Sequence, residues 1–164
     1  MHDPDTPRID PVDPAAPAVR RLLRRSDEHM AALYPPEANR MASVRDLKRP
    51  NALLYGCWVG EVLAGCGAAK VMEDDGRYGE IKRLFVAERY RGRGLSTLLM
   101  VRLEDHLLDL GMEWVRLETG VSQPEALGLF EKRGYLERGP FGTYEENGWS
   151  VFFEKRLFHN PEDA

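Results

Sequence analysis

Apolar positions in the first third of the chain recur at helical spacing. Val19, Leu22, Leu23, Met30 and Leu33 share one face of a helix predicted from Pro14 or Ala15 to about Leu33, where Pro35-Pro36 stops it. A shorter helix is predicted around Ser43–Lys48, with Ser43 as N-cap and Pro50 as terminator. The period then drops to that of strands. Ala52–Val59 and Val62–Val71 read as a hairpin about Gly60-Glu61, and a second turn at Glu73–Gly76 leads to a third strand, Tyr78–Val86. A helix from Leu95 to Leu110 follows, with Leu95, Leu98, Leu99, Leu103, Leu107 and Leu110 assigned to its apolar face and Gly111 at its end. Trp114–Glu118 reads as a strand, Pro124–Arg133 as a helix, and Tyr135–Arg138 and Ser150–Leu157 as the last two strands. Helices, meander, helix, strand, helix and hairpin together describe an α/β domain with a mixed sheet.

Composition narrows the class. At 164 residues, 43% hydrophobic and 30% charged, the chain suits one globular domain able to bury a core without disulfides or metals. Residues 1–13 read as a flexible lead-in, with one short strand open around Arg8–Asp10, and 14–164 as a single domain. The net charge of -4 offers no global attraction to nucleic acid or anionic membranes, so any basic site is local. No segment approaches a membrane span, the acidic N-terminus lacks a signal-peptide core, and cytoplasmic residence is expected. Cysteine and histidine are too few and wrongly spaced for a zinc site, and no metal is expected. A tight turn at Gly60-Glu61 sets Cys57 opposite Ala64, leaving Cys66 a diagonal neighbour, which argues against a disulfide. His29, His106 and His159 show no partner pattern.

The chemistry concentrates between Glu80 and Ser96, EIKRLFVAERYRGRGLS. A strand runs into an R-x-x-G-x-G loop and a helix begins at once. The first N–H groups of a helix lack internal partners and lie at its positive end, so they attract anions. Gly92 and Gly94 allow close backbone approach. Lys82, Arg83, Arg89, Arg91 and Arg93 face one anion, Glu88, along twelve residues of an acidic chain. A nucleic-acid patch lacks aromatic interleaving. A dinucleotide fingerprint fails because Gly94 is followed by Leu95, Ser96 and Thr97 without a third glycine.

Arg89-Tyr90-Arg91-Gly92-Arg93-Gly94 resembles the acetyl-CoA motif of the Gcn5-related N-acetyltransferase family. The preceding IKRLFV looks like that family's central strand, and Glu125–Tyr135 like its later helix. LETGVSQPEA and PFGTY resemble a bacterial branch described as acetylating small amines. The resemblance runs from about residue 50 to 157. It implies a mixed, mostly antiparallel sheet of six to seven strands, splayed at the centre, with about four helices. It also implies acetyl-CoA as cosubstrate, a small-molecule primary amine as acceptor, and leaves a homodimer open.

Carried over by position, the main chain of Leu84, Phe85 and Val86 would hold the pantetheine arm, with the Val86 N–H toward the developing oxyanion. The amides of Arg91, Gly92, Arg93, Gly94 and Leu95 would cradle the pyrophosphate, and Ser96 would add a hydroxyl. Gln123 lies near a cofactor-touching asparagine of many relatives, and Lys132 or Arg133 is offered to the 3′-phosphate. A lysine-like amine is neutral in only about one molecule in a few thousand at pH 7, so a proton acceptor is needed. Glu80 is the first candidate and Glu118 the reserve. Phe130 occupies the position where the family commonly carries a tyrosine that protonates the leaving thiolate. Tyr144 is the candidate substitute. Because Phe130 removes the usual acid, a non-catalytic acyl-CoA sensor stays open beside the transferase, as does acetylation of a protein N-terminus or lysine. Acceptor recognition is expected around Tyr34–Arg40 and Pro140–Tyr144.

Overall fold

A computed structural model describes residues 6–38 and 41–159. Seven strands form one sheet: β1 (Arg8–Pro11), β2 (Ala52–Val59), β3 (Val62–Met72), β4 (Tyr78–Val86), β5 (Trp114–Gly120), β6 (Leu136–Arg138) and β7 (Ser150–Arg156). Their order is β1-β2-β3-β4-β5-β7-β6, with β4 and β5 parallel and the other neighbours antiparallel. Four helices pack on it: α1 (Pro17–Leu33), α2 (Val44–Leu47), α3 (Leu95–Asp109) and α4 (Pro124–Lys132). The chain thus has the α/β class and mixed, mostly antiparallel sheet expected of it. Asn39 and Arg40, part of the segment expected at the acceptor, lie outside the described residues.

The short strand left open around Arg8–Asp10 forms as Arg8–Pro11 and pairs with β2 at the sheet edge. Two local differences have physical causes. Helix α1 starts at Pro17, not Pro14 or Ala15, because Asp13 holds a turn: its side chain and carbonyl accept from the amides of Ala15 and Ala16. A bulge between Cys57 and Trp58 moves Cys57 opposite Gly65 rather than Ala64. Cys57 then packs in the cluster under α3 and Cys66 in the cluster under α1, so the two free thiols lie in separate cores.

Helix α3 and α4 cover one face of the sheet, where Leu99, Leu103, Leu107 and Phe130 pack on Ile81, Val115, Leu117 and Phe153. Small strand residues let α3 approach: a Cβ on Gly79 would lie 2.6 Å from Leu107. The buried stripe is Leu95, Leu99, Met100, Leu103 and Leu107; Leu98 and Leu110 are 42% and 44% exposed. Steps of four precess around the helix, leaving Leu98 behind the stripe, and Leu110 lies past the last helical residue. On the other face, Val19, Leu22, Leu23 and Leu47 of α1 and α2 cover the β2–β3 half. Tyr78, Phe141 and Phe152 form a third cluster beyond it. Met30 and Leu33, assigned to the same apolar stripe, instead border an open cleft.

Candidate active site

Strands β4 and β5 are in register only at Gly79–Ile81, opposite Val115–Leu117, and pairing stops there. The break coincides with an irregularity between β3 and β4 at Cys66–Ala68 and with Arg83, whose φ of 59° is left-handed. Such a backbone costs a non-glycine residue about 1–3 kcal/mol. Helix α1 holds it there: the Arg83 guanidinium donates to Asp27 at 2.7 Å and to the Leu23 carbonyl at 3.0 Å. Beyond Arg83, the backbone of Leu84, Phe85 and Val86 borders a cleft of about 510 Å³.

The glycine loop closes one end of this cleft. Gly92 and Gly94 have φ of 78° and 77°, and a Cβ on either would meet nothing within 4 Å. Gly94 is the N-cap of α3 with no side-chain cap, and no acidic residue lies in the first turn. Arg91, Gly92, Gly94, Leu95 and Ser96 border the cleft, whereas Arg93 does not. The five cations do not form one patch. Arg83 is turned to α1, Arg89 and Arg93 stand 5.7 and 5.1 Å from the Tyr90 ring, and Arg91 donates to the Val86 carbonyl at 3.0 Å.

Gln123 occupies the N-cap position of α4, with no side-chain cap, and borders the cleft. Its side-chain oxygen accepts from the Gly120 amide and from the Tyr34 hydroxyl, each at 3.3 Å, while the Ser122 amide donates to Tyr34 at 3.1 Å. A Cβ at Gly120 would overlap the Tyr34 hydroxyl, so a side chain there would displace the tyrosine. Tyr34 opens the Tyr34–Arg40 segment expected at the acceptor, but its contacts with Ser122 and Gln123 were not foreseen. Phe130 borders the cleft but packs on Tyr135 and Phe153, ring centroids 5.9 and 6.0 Å away. Arg133, offered to the 3′-phosphate, is engaged by Glu104 at 2.6 Å; Glu104 also accepts from Lys155 and Tyr135.

The candidate proton-handling groups meet on the opposite wall. Glu80 is 3% exposed and does not border the cleft. The Tyr144 hydroxyl donates to its carboxylate at 2.6 Å and accepts from Lys82 Nζ at 2.6 Å. Tyr144, Lys82 and Glu118 do border the cleft. Burial, then the charge of Glu80, raises the Tyr144 pKa, so its phenol keeps its proton. Glu118 is half-buried and accepts from the Ser150 hydroxyl at 3.3 Å. Sequence missed Lys82 because it reads as one more cation beside the loop. His29, which showed no partner pattern, also borders the cleft, its ring 6.0 Å from Phe85. Among the described residues no His, Cys, Asp and Glu cluster could hold a metal ion, and no helix is long and apolar enough to cross a membrane.

A parallel pair parted beside an uncapped glycine-loop helix defines an acyl-CoA-dependent acyltransferase architecture, and residues 16–135 match the profile of the Acetyltransferase (GNAT) family. The chain belongs to that family and is an acyl-CoA-dependent N-acetyltransferase. It is 35% identical over 144 residues to an IAA acetyltransferase of Azospirillum brasilense, covering 88% of this chain and 94% of that one. A structure assigned as an acyl-CoA N-acyltransferase from Klebsiella pneumoniae superposes with a TM-score of 0.79 at 26% identity, over 94% of this chain and 99% of that one. The PaiA N-acetyltransferase of Thermoplasma acidophilum, in complex with coenzyme A, shares the fold: TM-score 0.73, 16% identity, 92% of this chain and 99% of that one.

Proposed function

We propose that this enzyme transfers the acetyl group of acetyl-CoA to a primary amine of a small molecule by direct attack on the thioester. The observation that carries the proposal is the parting of β4 and β5 after Ile81, in one cleft with the Gly92–Gly94 loop and the Lys82–Tyr144–Glu118 wall. Leu84–Val86 have no β5 partner, so backbone groups on that side of the strand suit the amides of pantetheine. The open space at Gly92 and Gly94, with the first amides of α3, suits a pyrophosphate, and Ser96 and Gln123 stand where each could add a hydrogen bond. Acetyl-CoA supplies an activated acyl group; this chain supplies its orientation and the handling of protons.

Met30, Leu33, Ala38 and Met41 add apolar lining to a cleft that Lys82, Glu118 and Tyr144 also border. That contrast suits an amine carried on a compact apolar body. The relative's name, IAA acetyltransferase, agrees with a small acceptor. Release of free thiol from acetyl-CoA over a panel of small amines, amino acids and peptides tests the reading. Turnover with small apolar amines is expected. Turnover confined to peptides overturns the acceptor class, and coenzyme A binding without turnover on any acceptor overturns transfer itself.

A further inference from the structure

With Phe130 lacking a hydroxyl, the thiolate has no acid at the family's usual position, and the amine calls for a base. Three groups able to exchange protons sit in one hydrogen-bonded chain. Lys82 Nζ donates to Tyr144 Oη at 2.6 Å, Tyr144 Oη donates to Glu80 Oε2 at 2.6 Å, and Lys82 Nζ lies 3.7 Å from that same carboxylate oxygen. The side chains of Glu80 and Lys82 are 4% and 15% exposed. Only Lys82 and Tyr144 of the three border the cleft. Tyr144 thus joins the cleft to Glu80 by a hydrogen bond.

Resting on the acetyl-transfer reading, we propose that Glu80, Tyr144 and Lys82 form a self-resetting proton relay, with Tyr144 passing the amine's proton to Glu80 and Lys82 protonating the departing thiolate. The neutral amine forms the C–N bond while the carbonyl π pair moves onto oxygen. The proton on the new ammonium moves to Tyr144 Oη as the tyrosine's own proton moves to Glu80 Oε2. The oxygen pair re-forms the carbonyl, the C–S bond breaks, and its pair leaves on sulfur. Lys82 gives sulfur a proton and becomes a neutral amine. Glu80, now a carboxylic acid, returns its proton through Tyr144 to Lys82. Amide and free thiol leave, and the three side chains are back in their starting states with no further reactant consumed.

The surroundings suit a tyrosine that relays without ionising. Glu80, Lys82 and Tyr78 of β4 and Glu118 of β5 face Tyr144, and its ring is held by Phe141 and Phe152 at 5.1 and 5.6 Å. Burial and the carboxylate both disfavour the phenolate. Tyr144 and Lys82 are thus catalytic residues, and Glu80 acts through Tyr144.

Tyr144→Phe keeps the ring and cuts the chain. It is expected to lower kcat by about 100-fold or more, the usual range for losing acid–base catalysis, while the Kd for coenzyme A measured by calorimetry stays within about twofold. Because Glu80 acts only through Tyr144, the double variant Glu80→Gln/Tyr144→Phe is expected to be no slower than Tyr144→Phe alone. Glu80→Gln alone is expected to lower kcat while leaving the Kd for coenzyme A within about twofold. Lys82→Arg keeps the charge but holds its proton, and is expected to be as impaired as Lys82→Met. The relay is overturned by a Tyr144→Phe enzyme within about threefold of wild type, by effects that multiply in the double variant, or by full activity in Lys82→Arg. Wild-type protein that binds coenzyme A yet acetylates nothing overturns transfer and relay together; turnover surviving these variants overturns the relay alone.

Discussion

The two ends of the cleft are built from different materials. The Gly92–Gly94 end is backbone: two left-handed glycines with space where side chains would stand, and the uncapped start of α3. The Glu80–Lys82–Tyr144 end is side chain: groups 62 and 64 residues apart in the chain and 2.6 Å apart in space. A backbone site needs only a short run of sequence to specify it. A side-chain site needs the whole sheet and the 141–149 segment in place before any of its hydrogen bonds exist.

The largest expected difference is in sensitivity to alkali. Tyr135 and Tyr144 have pKa values raised by burial and by Glu104 and Glu80 respectively, whereas the glycine loop holds no such group. In the unfolded chain these tyrosines ionise near pH ~10, and in the fold they ionise higher, so stability is full below ~10 and falls as pH rises through the folded values. At pH ~11 the two together should cost roughly 3 kcal/mol. Urea midpoints between pH 8 and 11 should stay level and then drop, with a shallower drop in Tyr144→Phe; a flat profile would break the contrast.

Next comes Gly120→Ala, which forces the Tyr34 hydroxyl out of its place against the β5–α4 loop. Overpacking of this kind costs about 2 kcal/mol, and Tm should fall by about 4–8 °C in calorimetry. Gly94→Val attacks the backbone end. A left-handed valine is disfavoured by about 1–2 kcal/mol, so the loop conformation becomes rarer and the apparent Kd for coenzyme A should rise roughly tenfold. The kcat at saturation should change much less, which titration and initial rates would separate. The smallest effect is expected of Phe130→Tyr. Its ring is wedged between Tyr135 and Phe153, and a relay already supplying the acid would leave kcat within about threefold. A gain of tenfold would show that the side-chain end lacks an acid.

The sequence by itself determined the element order, the glycine loop and the start of α3, because helical and strand periods and left-handed glycines are local properties of the chain. It also placed Glu118 and Phe130 near enough to be weighed. Tertiary structure decided what these groups face. Glu80 reads as an open base on a strand, yet Tyr144 from a distant loop covers it. Lys82 reads as one cation in a cluster of five, yet folding sends Arg83 to α1, the loop arginines to Tyr90 and Phe85, and Lys82 to the tyrosine. Tyr34 reads only as the first residue of a segment expected at the acceptor, until α1 packs beside the β5–α4 loop and it meets Gly120, Ser122 and Gln123. The physical reason is one of range. Backbone conformation answers to neighbours a few residues away, while the partner of a buried charge is chosen by whichever distant polar group the fold brings to it.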